Sequence, residues 1–276
     1  MDQGRKNLYR KNWLIDIGTK ANRWIWGLRR GEAGRNWGSR RKEGEEIAVA
    51  LKAPFSLPRD AMLSDLSINF TDLLSGRRKA RNTRFLNKAL PNDLSSLTVF
   101  SFCSNVLPVV SSLCDDGAPC QVSKQRSLQG LRELQLHMFE MEAVNLAHIY
   151  VFLKNFQCPN LERLFVQLPH DPKEGSHNEV GEEPPEDCLD NVKIVKVMNF
   201  NWHRVEVELV SFLLRKASSL QKLLIVSSKA APLDMPGVQR ADLLLIYESL
   251  TNGKVILSES DDEATQPYHH QVVLED

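Results

Sequence analysis

From about residue 60 onward, one short arrangement of apolar positions recurs: apolar-x-x-apolar-x-apolar. Its copies are Leu63, Leu66 and Ile68; Leu94, Leu97 and Val99; Leu131, Leu134 and Leu136; Leu161, Leu164 and Val166; Val192, Val195 and Val197; and Leu220, Leu223 and Ile225. Successive copies begin 28 to 37 residues apart. With 42% apolar residues, one such triplet arises by chance at about 7% of positions, but six at near-constant spacing do not. The last two apolar positions of each copy lie two apart, so in a strand they face the same way, toward a core. The residues between them, Ser67, Thr98, Gln135, Phe165, Lys196 and Leu224, then line the opposite face of a sheet, which the pattern predicts to be exposed.

Between the copies the period changes to that of helices. Asn145 is the predicted N-cap of a helix carrying Leu146, Ile149, Leu153 and Phe156 on one stripe, stopped by Pro159. A second stripe runs Val205, Leu209, Phe212, Leu213, Ala217 and Leu220, and a third helix spans 242–250 before Asn252 and Gly253. Strand followed by helix, repeated, predicts an α/β fold: a leucine-rich-repeat solenoid of about six strand-helix repeats with a parallel sheet. Residues 60–187 form the expected array, 188–228 its C-terminal repeats, and 229–276 a helix, a strand and an acidic tail. Residues 1–59, rich in Gly, Arg and Trp, sustain neither period and are expected to be disordered.

Lys+Arg and Asp+Glu each number 35 in the 276 residues, so no overall charge selects an anionic partner. The distribution is uneven: the first 46 residues are basic, whereas the loop from 171 to 190 and the tail after Glu259 are acidic. A basic segment interleaved with Trp13, Trp24, Trp26 and Trp37 has the composition of a nucleic-acid-binding arm, although nucleic acid is not the expected partner. Arg77, Arg78, Lys79 and Arg81 form a second basic run, read as a solvated loop between repeats. No apolar stretch reaches the ~20 residues of a membrane span, and no signal-peptide core follows Met1. The expected setting is intracellular, cytoplasm or nucleus. The five cysteines (Cys103, Cys114, Cys120, Cys158, Cys188) include no C-x-x-C pair and are expected to be free thiols.

Two segments carry a resemblance. The first is Leu131, Leu134 and Leu136, then Asn145, Leu146 and Ile149, then Cys158-Pro159-Asn160-Leu161-Glu162-Arg163-Leu164-Phe165. The second runs from Cys188 and Leu189 through Val192, Val195 and Val197, Asn199, Phe200, Trp202 and His203 to Phe212-Leu213-Leu214-Arg215-Lys216-Ala217 and Leu220. Together they resemble the plant F-box/leucine-rich-repeat proteins that carry an FBD domain, the second segment being similar to the FBD unit itself. The resemblance covers about residues 60–228. It implies a non-catalytic recognition module for a protein partner, the substrate-recognition part of an SCF-type ubiquitin ligase. In that family an F-box recruits the cullin-ligase adaptor. Residues 1–59 do not resemble an F-box, so adaptor binding is not expected of this segment, and a regulatory protein without ligase association is the alternative.

No enzyme chemistry is predicted. Leu14-Ile15-Asp16-Ile17-Gly18-Thr19-Lys20 is similar to the first phosphate loop of actin-like ATPases, but the remainder of that fold is missing. The seven histidines make no zinc-ligand spacing, though His170 and His177 share an acidic loop. There is no P-loop and no G-x-S-x-G. Trp202 is expected to pack or to cap a turn. No cofactor, metal or catalytic residue is assigned. The partner-binding candidates are Gln135, Phe165, Lys196 and Leu224, with Phe165 as an aromatic anchor.

Overall fold

The computed structural model describes residues 11–18, 23–29, 63–70, 94–111, 128–156, 158–170, 179–230, 232, 238–261 and 265–267. Nine strands make one sheet in the order β2-β1-β3-β4-β5-β6-β7-β8-β9. They are β1 Lys11–Gly18, β2 Arg23–Arg29, β3 Leu63–Phe70, β4 Val99–Cys103, β5 Glu133–His137, β6 Arg163–Gln167, β7 Ile194–Met198, β8 Lys222–Val226 and β9 Val255–Ser258. Among the described strands β1 and β2 pair antiparallel and every other neighbouring pair is parallel. Among the described residues the helices are α1 Leu107–Ser111, α2 Ala143–Asn155, α3 Arg204–Lys216 and α4 Arg240–Thr251. The architecture is therefore α/β, with a multi-stranded parallel sheet and packing helices. Among the described residues, no helix is long and apolar enough to cross a membrane.

Register turns the apolar phrase into rows. Leu66, Phe100, Leu134, Leu164, Val195, Leu223 and Val255 stand side by side, as do Ile68, Phe102, Leu136, Val166, Val197 and Ile225. All are buried in one cluster with the inner stripes of α2 and α3, and burying each such side chain contributes about 1.5–3 kcal/mol. Leu134, Leu164 and Val195 lie on neighbouring strands, as the spacing predicts. One copy is out of phase. In β4 the core positions are Phe100 and Phe102, so the copy reads Leu97, Phe100, Phe102, and the residue between the last two is Ser101 rather than Thr98. Leu94, Leu97 and Val99 satisfy the same pattern, and sequence alone does not separate two overlapping matches. Phe102 meets Phe152 of α2 edge-on at 5.1 Å, and Phe152 stacks on Phe156 at 4.9 Å.

Before each of five strands the chain makes the same turn. The amides of Leu97, Leu131, Leu161, Val192 and Leu220 donate to the carbonyls of Leu94, Leu128, Cys158, Leu189 and Ala217 at 3.0–3.1 Å. All of these residues are buried. Adjacent turns are tied laterally: Asn160 Nδ2 donates to Gln129 O at 2.7 Å and Asn191 Nδ2 to Pro159 O at 2.6 Å. Gly130 holds the corresponding place one turn earlier, and there a Cβ would sit 2.2 Å from Ser95 O. The glycine lets the two turns touch backbone to backbone.

Helix starts are set by reciprocal capping. The N-cap of α2 is Glu142, three residues before the predicted Asn145; Asn145 is instead the N3 partner whose Oδ1 accepts from Glu142 N at 3.1 Å. At α3, Glu206 Oε2 accepts from the N-cap amide of His203 at 3.2 Å and from Asn201 N at 2.7 Å. Glu206 is fully buried, and its Oε1 has no hydrogen-bond partner. Burial pushes its carboxyl up to about 7, against the opposing pull of the Asn201 and His203 amides and of Lys229. Trp202, at φ 64, stacks edge-on against Phe200 at 4.9 Å and donates Nε1–H to Lys229 O at 3.2 Å. It packs and fixes the turn, as expected. Helix α4 ends at Asn252, followed by Gly253 at φ 77.

The N-terminal expectation differs from the structure at two stretches, since Lys11–Gly18 and Arg23–Arg29 are strands. Trp13, Ile15 and Ile17, and then Trp24, Trp26 and Leu28, do alternate, but the runs are short. Their strand state depends on pairing with each other and of β1 with β3, where Trp13 is in register with Leu66. Residues 1–10, 19–22 and 30–59 of the predicted disordered segment, the second basic run, Cys114, Cys120 and His177 lie outside the described residues.

Three outcomes follow for stability. Leu164→Asp should cost several kcal/mol in urea denaturation, because it leaves a carboxylate unpaired in the core that the neighbouring strands share; Leu244→Gln, at a half-exposed position of α4, should cost within about 0.5 kcal/mol. Equal losses would contradict the assigned inner face. Gly130→Ala should lower stability by about 1–3 kcal/mol through its clash with backbone, and an unchanged melting temperature would contradict the turn contact. For Glu206, a folded-state pKa above the unfolded value means stability is fully present below about pH 4.5 and is lost as pH rises through about 7. The difference between wild type and Glu206→Gln should therefore shift by roughly 2–4 kcal/mol over that window, and a difference independent of pH would contradict the assignment.

Candidate functional site: the sheet face opposite the helices

The alternate positions of the strands make the second face. One row is Ser67, Ser101, Gln135, Phe165, Lys196, Leu224 and Ile256, each in register with the next. Flanking it are Asp65, Val99, Glu133, Arg163, Ile194 and Lys222 on one side and Cys103, His137, Gln167 and Met198 on the other. The four sequence candidates, Gln135, Phe165, Lys196 and Leu224, are thus brought together on adjacent strands. Their predicted exposure is corrected: relative exposures are 1%, 1%, 0% and 2%. Parity along the strand places them on the outer face, but parity does not say what lies over that face.

Over Lys196 lies the C-terminal segment. The Lys196 ammonium pairs with the Asp261 carboxylate and donates to Thr265 O at 2.7 Å. Next to it, Arg163 pairs with Glu133 Oε2 at 2.9 Å, donates to Gln266 O at 2.7 Å and sets its guanidinium 4.9 Å from the centre of the Phe165 ring. Gln266 Nε2 in turn reaches Asp261 Oδ2 at 3.3 Å. An acidic residue at position 196 would face Asp261 without a counter-charge, so Lys196 is no tolerant surface position.

Beside these contacts runs a polar chain across three strands. The Ser101 hydroxyl lies 3.0 Å from His137 Nε2, and His137 Nδ1 lies 3.2 Å from Gln167 Oε1. With the Gln167 carbonyl accepting, Nδ1 carries the proton and Nε2 accepts from Ser101. This order resembles a nucleophile, a base and an orienting group, yet Ser101 is buried in the middle of a parallel ladder. There the strand amides are engaged in pairing and supply no oxyanion donors. The chain satisfies buried polar groups, and nothing in its geometry carries acyl transfer. Among the described residues, no group of three or more His, Cys, Asp or Glu side chains could hold a metal.

Between this face and the C-terminal segment is a cavity of about 190 Å³, lined by Gln135, His137, Phe165, Gln167, His170 and Asp261 among others. Gln135 donates to Glu133 Oε1 at 2.5 Å, while its own Oε1 is buried without a partner. Burial raises the Cys158 thiol to about 12 and Cys188 to about 11. None of Cys103, Cys158 and Cys188 is in a disulfide, and neither raised thiol has the low pKa of a nucleophile. Arg163, Asp261, Thr265 and Gln266 were not identified from sequence. The acidic tail after Glu259 is the signal that points to Asp261, but its contact with Lys196 spans 65 positions.

Neither a curated protein nor a solved structure matches the chain. One family model does, and it falls on the strand-helix-strand unit made by β7, α3 and β8, which contains Lys196, the Glu206 cap and Trp202. Residues 182–225 form an FBD domain.

Proposed function

We propose that the chain is a non-catalytic protein-recognition scaffold, the substrate-recognition part of an SCF-type ubiquitin ligase, built as a leucine-rich-repeat-like array whose last units are the FBD domain. The carrying observation is that the FBD domain is continuous with the rest of the sheet: β7 pairs with β6 on one side, and β8 pairs with β9 on the other, in the same parallel register. The recurrent turns and core rows extend from β4 to β8, so the FBD unit stacks as one more repeat. Recognition rather than chemistry suits a face on which Ser101 and His137, the serine–histidine pair among the described residues, are buried on strands whose amides are engaged in pairing. Recruitment of the cullin adaptor is assigned elsewhere, because residues 1–59 do not resemble an F-box.

Co-purification of the tagged chain, with and without a genuine F-box grafted at residue 60, tests both halves. The ungrafted chain should retain a reproducible protein partner and fail to bind the purified adaptor. The grafted chain should bind the adaptor stoichiometrically and keep the same partner. Stoichiometric adaptor binding by the ungrafted chain would overturn the division of labour, and loss of every specific partner from both forms would overturn the recognition reading.

A further inference from the structure

The outer sheet face holds a fully buried lysine whose charge is met, among the described residues, by groups of a distant segment. Lys196 is 0% exposed, and the groups that meet its ammonium, the Asp261 carboxylate and Thr265 O, follow it by 65 and 69 residues. An ammonium out of water without such partners costs several kcal/mol, so the segment and the lysine stabilise one another.

The manner of holding is informative. Lys196 and Arg163 each donate to a main-chain carbonyl, Thr265 O and Gln266 O, and one acidic side chain completes the set. Backbone carbonyls plus a single carboxylate are what a surface reads in an extended acidic peptide, with little dependence on the other side chains. The fit is also incomplete. The Asp261 side chain is 46% exposed, the cavity of about 190 Å³ remains beneath, and the buried Gln135 Oε1 still lacks a donor. Core contacts on the helix side show no such gap at Leu134, Leu164 or Val195, which are buried in continuous rows.

We propose that residues 261 and 265–267 are an intramolecular stand-in for the partner, occupying the face of Gln135, Phe165 and Lys196 until an extended acidic protein segment displaces them. This rests on the recognition reading above and adds the partner's chemistry: a carboxylate for Lys196, backbone carbonyls for Lys196 and Arg163, and a donor for Gln135 Oε1. Because the stand-in is tethered, its effective concentration is of millimolar order, and a competing segment has to exceed it. Weakening the tether contact should therefore raise affinity for a segment added in trans.

The test uses the full chain and a synthetic peptide with the sequence of residues 258–268. Brief acylation with an amine-reactive acetyl ester, read by mass spectrometry, compares Lys196 with the exposed Lys193 in the same molecule. Lys196 should be protected in the wild type, become at least about tenfold more reactive in Asp261→Ala, and be protected again when the peptide is added. A peptide with every Asp and Glu changed to the amide should not protect. By fluorescence anisotropy the peptide should bind Asp261→Ala about tenfold more tightly than wild type. Lys196→Met, which keeps a buried aliphatic stem and removes the charge, should lose that binding while retaining cooperative unfolding. Unchanged protection of Lys196 in Asp261→Ala would show that the segment is fixed core and overturn the proposal. Opening of Lys196 without rescue by the peptide would overturn the assignment of an acidic segment as partner. Failure to capture any partner while the opening and rescue are intact would count against the recognition reading alone.

Discussion

Parallel sheets are most often covered on both faces. Their strands are linked by crossovers that place helices on one side, and the backbone and side chains of the other side still need a layer over them. Here α2, α3 and α4 cover one face through the rows that run from Leu66 to Val255. The second face carries a mixed set, with Glu133, Gln135, His137 and Lys196 all buried. Polar groups taken out of water must find partners, and each solution found here follows from that need. Ser101, His137 and Gln167 satisfy one another across three strands, Arg163 serves Glu133, and Lys196 draws in the C-terminal segment.

That division gives the two faces different roles. The helix side is made of apolar rows and stacked turns in which Gly130 and the Asn160 and Asn191 amides fix the spacing of one turn against the next. Energy there is spread over many contacts within one shared core. The other side is held by a few charge-assisted bonds over an incompletely filled cavity. Under the proposed reading, these are the contacts that an acidic segment of another chain would have to replace. The FBD unit spans both roles: its helix α3 is anchored through Glu206 and Trp202, while its strand β7 presents Lys196.

Much of the first role is legible in the sequence because it is local and periodic. Leu134, Leu164 and Val195 are found in register from spacing alone. The phase error in β4 arises where Leu94, Leu97, Val99, Phe100 and Phe102 satisfy the pattern twice, and only the positions of neighbouring strands select Phe100 and Phe102. The first two strands are not legible, since short alternating runs such as Trp13, Ile15 and Ile17 become strands through pairing rather than through their own period. For the second role, parity correctly groups Gln135, Phe165, Lys196 and Leu224 on one face. The burial of Lys196 escapes sequence reasoning because the residues that meet it are polar, non-periodic and far along the chain.

The central claim is that Lys196 and Asp261 are partners across the outer sheet face. Zero-length carbodiimide cross-linking of the intact protein, followed by peptide mass spectrometry, tests it most directly. A cross-linked pair joining Lys196 to Asp261 is the predicted product. Cross-links from the acidic tail that fall on Lys193 or Lys222 and never on Lys196 would contradict the account.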